Sequence, residues 1–179
     1  MVANVRISAD EFLAQPETNH IVELIDGEVI VTTPTDLHQA ILGSLYFVLR
    51  STFPTGTYRL APTGIQFDDY HVVEPDIFWV SPENTACQVV DGRIWHGAPD
   101  LVIEIISPSN ARYDRDVKYH LYERNGVREY WIIEPEAAYI EVYRLEADKF
   151  ERVGFFGKGE TLTSPTLNYT PISMDAVFG

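Results

Sequence analysis

Leu101-Val-Ile-Glu-Ile-Ile106 is the most apolar stretch of the 179-residue chain, and five of its six residues are hydrophobic. A continuous apolar run of this length indicates a β-strand that is buried on both faces of a sheet. Glu104 has no packing role in such a strand. Because an unpaired buried charge is costly, Glu104 needs a cation, a metal ion or hydrogen bonds as its partner. The open alternative is that Glu104 lies on the solvated face of an edge strand.

Helices are predicted on both sides of this strand along the chain. After Pro34, apolar residues recur at helical spacing: Leu37, Ile41, Leu45 and Val48. That helix should end before Pro54. A second helix is expected from about Tyr113 to Arg124, because Asn125-Gly126 is a common helix stop.

Strands and turns account for most of the remaining chain. Asp26-Gly27 is a two-residue turn that favours a hairpin within His20 to Thr33. Further strands are predicted at Tyr58–Leu60, Gly64–Phe67, Ile77–Val80, Glu129–Ile133, Tyr139–Tyr143 and Lys149–Val153. The glycine-rich segment Gly154–Gly159 is interpreted as a hairpin turn.

Helices and a mixed sheet together indicate an α/β or α+β layer architecture. Since no linker or repeat divides the chain, residues 1–179 are predicted to form one domain.

The two ends of the chain are each expected to carry a short helix. Ser8 can cap a helix, and Glu11 three residues later completes a capping-box pattern. Ile172 to Phe178 has the pattern of a short amphipathic helix.

Composition is that of a globular protein. Hydrophobic residues make up 45% and aromatic residues 12% of the chain, so disorder is not expected. No apolar run approaches the ~20 residues that span a bilayer, and Met1 to Gln15 lacks the pattern of a signal peptide. The lone Cys87 excludes an internal disulfide. Together these features predict a cytoplasmic protein.

The net charge is unfavourable for binding nucleic acid. Thirteen Lys and Arg residues against 27 Asp and Glu residues give a net charge of −14. Five of the thirteen lie between Arg112 and Arg128, where they can form a local basic surface. For any one of them, a solvated helix face with interspersed acids is an equally good interpretation.

Three carboxylates on predicted strands are candidates for a metal site. Asp76 opens the strand Ile77–Val80, and Glu104 lies in the apolar strand. Two carboxylates on neighbouring strands suit Mg²⁺, which prefers oxygen ligands and keeps several waters. Glu23, on the first hairpin, is an auxiliary acid that can orient a water, hold a second metal or pair with an arginine.

Lys118 is the candidate cation for this site. It shares a helix face with Asp114 and Tyr122, four residues away on either side. A lysine beside a bound metal can stabilise charge that develops on phosphorus oxygens. The alternative is an ordinary surface pair with Asp114. Because methionine keeps most of the packing of the lysine stem, Lys118→Met is expected to change stability little. His38 is interpreted as a packing residue or an auxiliary group.

Together these segments resemble the Uma-two family of predicted restriction endonucleases, long described as a domain of unknown function and part of the PD-(D/E)xK nuclease superfamily. The resemblance extends from about residue 8 to the C-terminus. It rests on Glu23–Glu28, Pro34 followed by His38, Pro75-Asp76, Pro99–Pro108, Asp114-x-x-x-Lys118-x-x-x-Tyr122 and Gly126–Trp131.

The resemblance implies a central mixed β-sheet flanked by helices and phosphodiester hydrolysis that depends on a divalent metal, Mg²⁺ or Mn²⁺. Asp76 and Glu104 would be metal ligands, with the carbonyl of Ile105 as a third, and Glu23 an auxiliary acid. Ile106 occupies the position where the superfamily usually has a lysine. The resemblance assigns that role to Lys118.

The leading functional hypothesis is therefore an endonuclease that cleaves DNA. Two copies of the chain could assemble as a homodimer around one DNA site. The second hypothesis is a nuclease fold that has kept only a binding role toward protein or nucleic acid. A metal-dependent hydrolase of small molecules is the third, and it would need a deep closed pocket.

Overall fold

The computed structural model describes residues 6–16, 18–107 and 112–179. Within these ranges the α-helices are Ala9–Leu13 (α1), Asp36–Thr52 (α2), Tyr119–Arg124 (α3) and Met174–Phe178 (α4). A π-helical segment, Tyr113–Lys118, leads directly into α3. No helix in the described ranges is long and apolar enough to cross a membrane.

The strands form two large sheets and a small one. In chain order they are Ile21–Ile25 (β1), Glu28–Thr32 (β2), Thr57–Leu60 (β3), Ile65–Asp68 (β4), His71–Val73 (β5), Ile77–Val80 (β6), Gln88–Val90 (β7), Ile94–His96 (β8), Leu101–Ile105 (β9), Glu129–Glu134 (β10), Tyr139–Glu146 (β11), Lys149–Gly157 (β12), Thr161–Thr163 (β13) and Pro171–Ser173 (β14).

Both large sheets are mixed. The central sheet has the order β12-β11-β10-β9-β6-β3, and the outer sheet has the order β2-β1-β5-β4-β8-β7. Strands β9 and β10 pair in parallel in the central sheet, as do β4 and β8 in the outer sheet, whereas the other neighbours are antiparallel. Strands β13 and β14 form the third sheet. The predicted α+β class with a mixed sheet is confirmed.

Strand β9 lies inside the central sheet, between β10 and β6, and every one of its residues is buried. Ile103 and Ile105 belong to the core that α2 covers with Leu45 and Leu49. Burying each of these leucines contributes roughly 1.5–3 kcal/mol. Val102, on the other face, belongs to the core shared with the outer sheet and α3. The edge-strand alternative for Glu104 is therefore wrong.

Most predicted elements are present at the predicted places. Ser8 and Glu11 form the capping box of α1, and Asp26-Gly27 joins β1 to β2, with both residues at positive φ. Helix α2 ends at Thr52, before Pro54. The helix expected from Tyr113 is present, but its first half is π-helical rather than α-helical.

Two predictions at the C-terminal end need correction. The glycine-rich segment is not a turn throughout, because Gly157 still pairs with Tyr139 of β11 and the turn begins only at Lys158. Ile172 lies in β14, where it pairs with Leu162, so the final helix begins at Met174. The end of the predicted motif at Pro108 lies outside the described residues.

Candidate active site

Asp76 and Glu104 lie opposite each other on neighbouring strands of the central sheet. Ile77 of β6 pairs with Ile103 of β9, and continuing this antiparallel register brings Asp76, the residue before β6, across from Glu104. The backbone N–H of Ile105 donates to Asp76 Oδ2 at 2.7 Å. Residues directly opposite in an antiparallel pair point to the same face of a sheet. Both carboxylates therefore lie on one face, with Asp76 6% and Glu104 3% exposed.

Lys118 brings a positive charge to these carboxylates from the π-helical segment. Its Nζ lies 3.1 Å from Glu104 Oε1, 2.9 Å from Glu23 Oε2 and 3.5 Å from Asp114 Oδ1. The side chains of Lys118 and Asp114 are each 6% exposed. The interpretation of Lys118 as half of an ordinary surface pair is therefore wrong.

Tyr122 lies one helical turn after Lys118 and binds the same oxygen of Glu104. Its hydroxyl donates to Glu104 Oε1 at 2.6 Å, and its ring is fully buried. Lysine and tyrosine thus converge on one carboxylate oxygen. Among the described residues, no hydrogen bond reaches the second oxygen, Glu104 Oε2.

Glu23 uses both of its carboxylate oxygens within the protein. Oε2 contacts Lys118, and Oε1 accepts the backbone N–H of Glu74 at 2.8 Å. This arrangement indicates that Glu23 positions Lys118, and it does not favour a role for Glu23 as the ligand of a second metal.

Glu74 is a neighbour of the site that the sequence analysis missed. Its Oε2 accepts the backbone N–H of Val22 at 3.0 Å. Burial raises the pKa of Glu74 to about 7, and the nearby Glu23 carboxylate adds to this shift. Glu74 directly precedes Pro75-Asp76, so the sequence showed a second acid beside that motif.

His38 joins the site from the first turn of α2. The side chain of Thr35 caps this helix by accepting the backbone N–H of His38. The ring is 4% exposed, and its Nε2 lies 3.0 Å from Asp76 Oδ2. His38 and the Ile105 N–H thus share one oxygen of Asp76. Among the described residues no hydrogen bond reaches the other oxygen, Oδ1.

Negative charge exceeds positive charge in this cluster. Burial raises the pKa of Glu104 well above its ordinary value, Lys118 opposes the shift, and Asp114 and Asp76 add to it. Burial likewise raises the pKa of Asp114 to about 6. Burial alone would lower the pKa of Lys118, but the carboxylates of Glu104, Glu23 and Asp114 outweigh it and raise that pKa well above its usual range. The lysine therefore stays protonated at neutral pH.

The donor set of the cluster fits a hard divalent cation. Asp76 and Glu104 each have a carboxylate oxygen without a hydrogen bond among the described residues. The N–H of Ile105 points to Asp76, and in an extended strand the carbonyl of the same residue points to the same side. The described residues contain no group of three or more His, Cys, Asp or Glu side chains arranged to hold a metal. Asp76, Glu104 and the carbonyl of Ile105 would supply three ligands, and waters would take the other positions around a Mg²⁺ ion.

Carboxylates neutralise the predicted basic surface of the second helix only in part. Arg115 forms ion pairs with Glu141 and Glu134. Arg124 contacts the ring of His71 at 2.9 Å. The carboxylates of β10 and β11 thus neutralise Arg115, and a substrate groove lined by Arg112, Arg115 and Arg124 together with Lys118 stays a prediction.

A family model described as "Uma2: Putative restriction endonuclease" matches residues 9–174 of the chain. The chain belongs to this family. The predicted membership is therefore confirmed, and the match includes every candidate residue of the Uma2 site. No curated protein matches the chain.

A solved structure with the same fold agrees with this assignment. It is the crystal structure of "a putative nuclease belonging to DUF820" from Anabaena variabilis ATCC 29413. The two chains are 25% identical and superpose with a TM-score of 0.78, over 96% of this chain and 97% of the other. This Uma2 chain thus has the fold of a protein described as a nuclease.

Proposed function

We propose that this Uma2 protein is an endonuclease that hydrolyses DNA phosphodiester bonds with the help of Mg²⁺ or Mn²⁺. The observation that carries the proposal is the pair of buried, facing carboxylates, Asp76 and Glu104, beside a buried lysine that does not balance their charge. Buried carboxylates are costly unless they are paired. A site that retains this excess negative charge is suited to a divalent cation.

Asp76, Glu104 and the carbonyl of Ile105 would hold the cation. When bound, it supplies Lewis-acid stabilisation for the negative charge that builds on the phosphorus oxygens. The carboxylates of Asp76 and Glu104 are held in a fixed orientation for metal binding, because hydrogen bonds from other residues bind one oxygen of each carboxylate. Glu104 Oε1 accepts from Lys118 and Tyr122, and Asp76 Oδ2 accepts from Ile105 and faces His38.

Lys118 stabilises the transition state by a positive charge at a fixed position. Its ammonium is held by Glu23, Glu104 and Asp114, so it needs little reorganisation when charge develops on the substrate. Asp114 and Tyr122 position this lysine and Glu104, and neither has to exchange a proton with the substrate.

Plasmid cleavage tests the proposal. Supercoiled DNA is incubated with wild-type protein and Mg²⁺ or Mn²⁺, and with the variants Asp76→Asn and Glu104→Gln. We expect nicked and linear products from the wild type and a loss of at least about 10²-fold in rate for each variant. Asp100→Asn is the matched control, because Asp100 is also buried beside β9 but lies at its other end.

Two outcomes would contradict the nuclease. Cleavage by Glu104→Gln at the wild-type rate would show that the carboxylate pair has no role in catalysis. If the wild-type protein binds DNA but does not cleave it with either metal, the non-catalytic binding role would be favoured. Assembly of two copies on one DNA site stays a prediction, and the mass of the protein–DNA complex in solution tests it.

A further inference from the structure

Arg59 lies on the edge strand of the central sheet, on the same face as the candidate site. Strand β3 pairs with β6, and Arg59 is opposite Phe78. Side chains two residues apart on a strand share a face, so Arg59, Phe78 and Asp76 point to the same side. Phe78 pairs in turn with Val102 of β9, which shares this face with Glu104. Lys118 of the π-helical segment contacts Glu104 of the carboxylate pair, and Arg59 lies on β3, the edge strand that pairs with β6.

The charge of Arg59 is not neutralised by a carboxylate. No ion pair among the described residues includes this exposed side chain. Its guanidinium lies 5.5 Å from the centre of the Trp95 ring, and Nη1 donates to the carbonyl of Tyr58 at 2.8 Å. These two contacts orient the side chain but use one of its five N–H donors.

The charge balance makes such a free cation important. The protein carries a net charge of −14, which repels a phosphate backbone. Lys118 cannot offset this repulsion, because three carboxylates already surround its ammonium. Arg115 is paired with Glu141 and Glu134, and Arg124 contacts the His71 ring, which itself faces Asp26 and Asp68. Arg59 is thus an exposed, unneutralised cation on the face that carries Asp76 and Glu104.

We propose that Arg59 binds the backbone phosphate of the nucleic acid next to the scissile bond and thereby positions the substrate over Asp76 and Glu104. This inference rests on the proposed function, since it assumes a phosphodiester substrate. Arginine suits the task because its planar guanidinium can donate two parallel hydrogen bonds to phosphate oxygens. Within residues 6–16, 18–107 and 112–179, no carboxylate forms an ion pair with the remaining donors of Arg59.

Arg152 provides a matched control. It is also an exposed arginine without a carboxylate partner among the described residues, and its guanidinium lies 4.5 Å from the centre of the Phe155 ring. Strand β12, which carries it, is the opposite edge of the same sheet. Arg59→Gln and Arg152→Gln therefore remove the same charge from similar surroundings, but only Arg59 lies on the strand that pairs with β6, which Asp76 directly precedes.

The experiment measures binding of a fluorescein-labelled DNA duplex by anisotropy, with Ca²⁺ in place of Mg²⁺ to slow cleavage. The salt concentration is varied from about 50 to 200 mM. We expect Arg59→Gln to bind roughly tenfold more weakly and to reduce the salt slope of the binding constant by about 0.9. Arg152→Gln should leave both quantities unchanged. Arg59→Lys, which keeps the charge, should restore the salt slope and only part of the affinity.

The outcomes separate this inference from the nuclease proposal. Equal affinities for Arg59→Gln and wild type, or equal losses for the two glutamine variants, would overturn the role of Arg59 even if the wild type cleaves DNA. A second outcome is that Arg59→Gln binds DNA more weakly, Arg152→Gln binds it normally and the wild type does not cleave it. This outcome would support phosphate binding by Arg59 and contradict the proposed nuclease activity. A wild-type protein that neither binds nor cleaves DNA would overturn both.

Discussion

Strand β9 has a buried carboxylate at each end, and the two differ in how their charge is balanced. Asp100, just before the strand, accepts the backbone N–H of Ser81 and the side-chain amide of Asn84 at Oδ2. Its Oδ1 lies 2.9 Å from Arg128, an ion pair without hydrogen-bond geometry. One negative charge thus faces one positive charge and two neutral donors.

Glu104, near the end of the same strand, shares a single lysine with several other acids. Lys118 contacts Glu104, Glu23 and Asp114, and Asp76 lies across from Glu104. The two ends have similar burial, with Asp100 1% and Glu104 3% exposed. Burial therefore does not distinguish a carboxylate that holds the fold from one that serves a site. The local charge balance does.

Replacing Lys118 should have the largest effect on stability. Lys118→Met leaves buried carboxylates facing one another without a cation, and breaking a buried ion pair in this way costs about 3–5 kcal/mol. This differs from the sequence-based expectation of a small change, which considered only the packing of the lysine stem. Urea unfolding measures the loss. Lys149→Met is the control, because the Lys149 side chain is 76% exposed even though its partner Glu123 is buried, and its loss should cost no more than about 1 kcal/mol. Equal unfolding midpoints for Lys118→Met and wild type would contradict the account.

Neutral isosteres of the two β9 carboxylates should affect stability in opposite directions. Asp100→Asn replaces an acceptor of the Ser81 N–H and the Asn84 amide by a group that also donates, and it leaves Arg128 unpaired. We expect a loss of about 1–3 kcal/mol. Glu104→Gln keeps the neutral form that burial already favours by raising the Glu104 pKa, so the metal-free protein should be at least as stable as wild type. Thermal melts in EDTA compare the variants, and a larger loss for Glu104→Gln than for Asp100→Asn would refute the proposed difference.

An exposed carboxylate should show a small and pH-dependent effect. Burial tends to raise the pKa of Asp68, but hydrogen bonds from His71 and the Tyr70 N–H outweigh it, so the pKa is lowered. A lowered folded pKa stabilises the fold above the unfolded pKa of about 4. That contribution is lost as the pH falls through the folded value. Asp68→Asn should therefore melt slightly below wild type at pH 7, and the gap should close in acid. A gap that widens toward pH 3 would exclude this explanation.

The parts of the fold with long, regular patterns could be predicted from the sequence. The apolar run of β9, the helical spacing of α2 and the turn at Asp26-Gly27 each have a local physical cause. Strands β5, β7 and β8 have only three residues each, too few for an alternating pattern to appear. The outer sheet that they help to build was therefore not predicted.

The candidate site shows the same limit. Asp76 and Glu104 could be assigned to neighbouring strands, because each belongs to a recognisable strand motif. The neutralisation of Arg115 could not be predicted, since Glu141 is 26 residues away and only the packing of β11 brings it close. The importance of Lys118 came from the family resemblance, and its isolated helical spacing favoured a surface pair.

Cation binding tests the central claim most directly, because it measures the charge imbalance without depending on a substrate. Mn²⁺ is titrated into the metal-free protein and followed by calorimetry, for wild type, Glu104→Gln and Asp100→Asn. We expect one saturable site in wild type, the same affinity in Asp100→Asn, and at least a tenfold loss in Glu104→Gln, equivalent to about 1.4 kcal/mol. No binding to the wild type, or equal binding by Glu104→Gln, would contradict the assignment of Asp76 and Glu104 as a metal site.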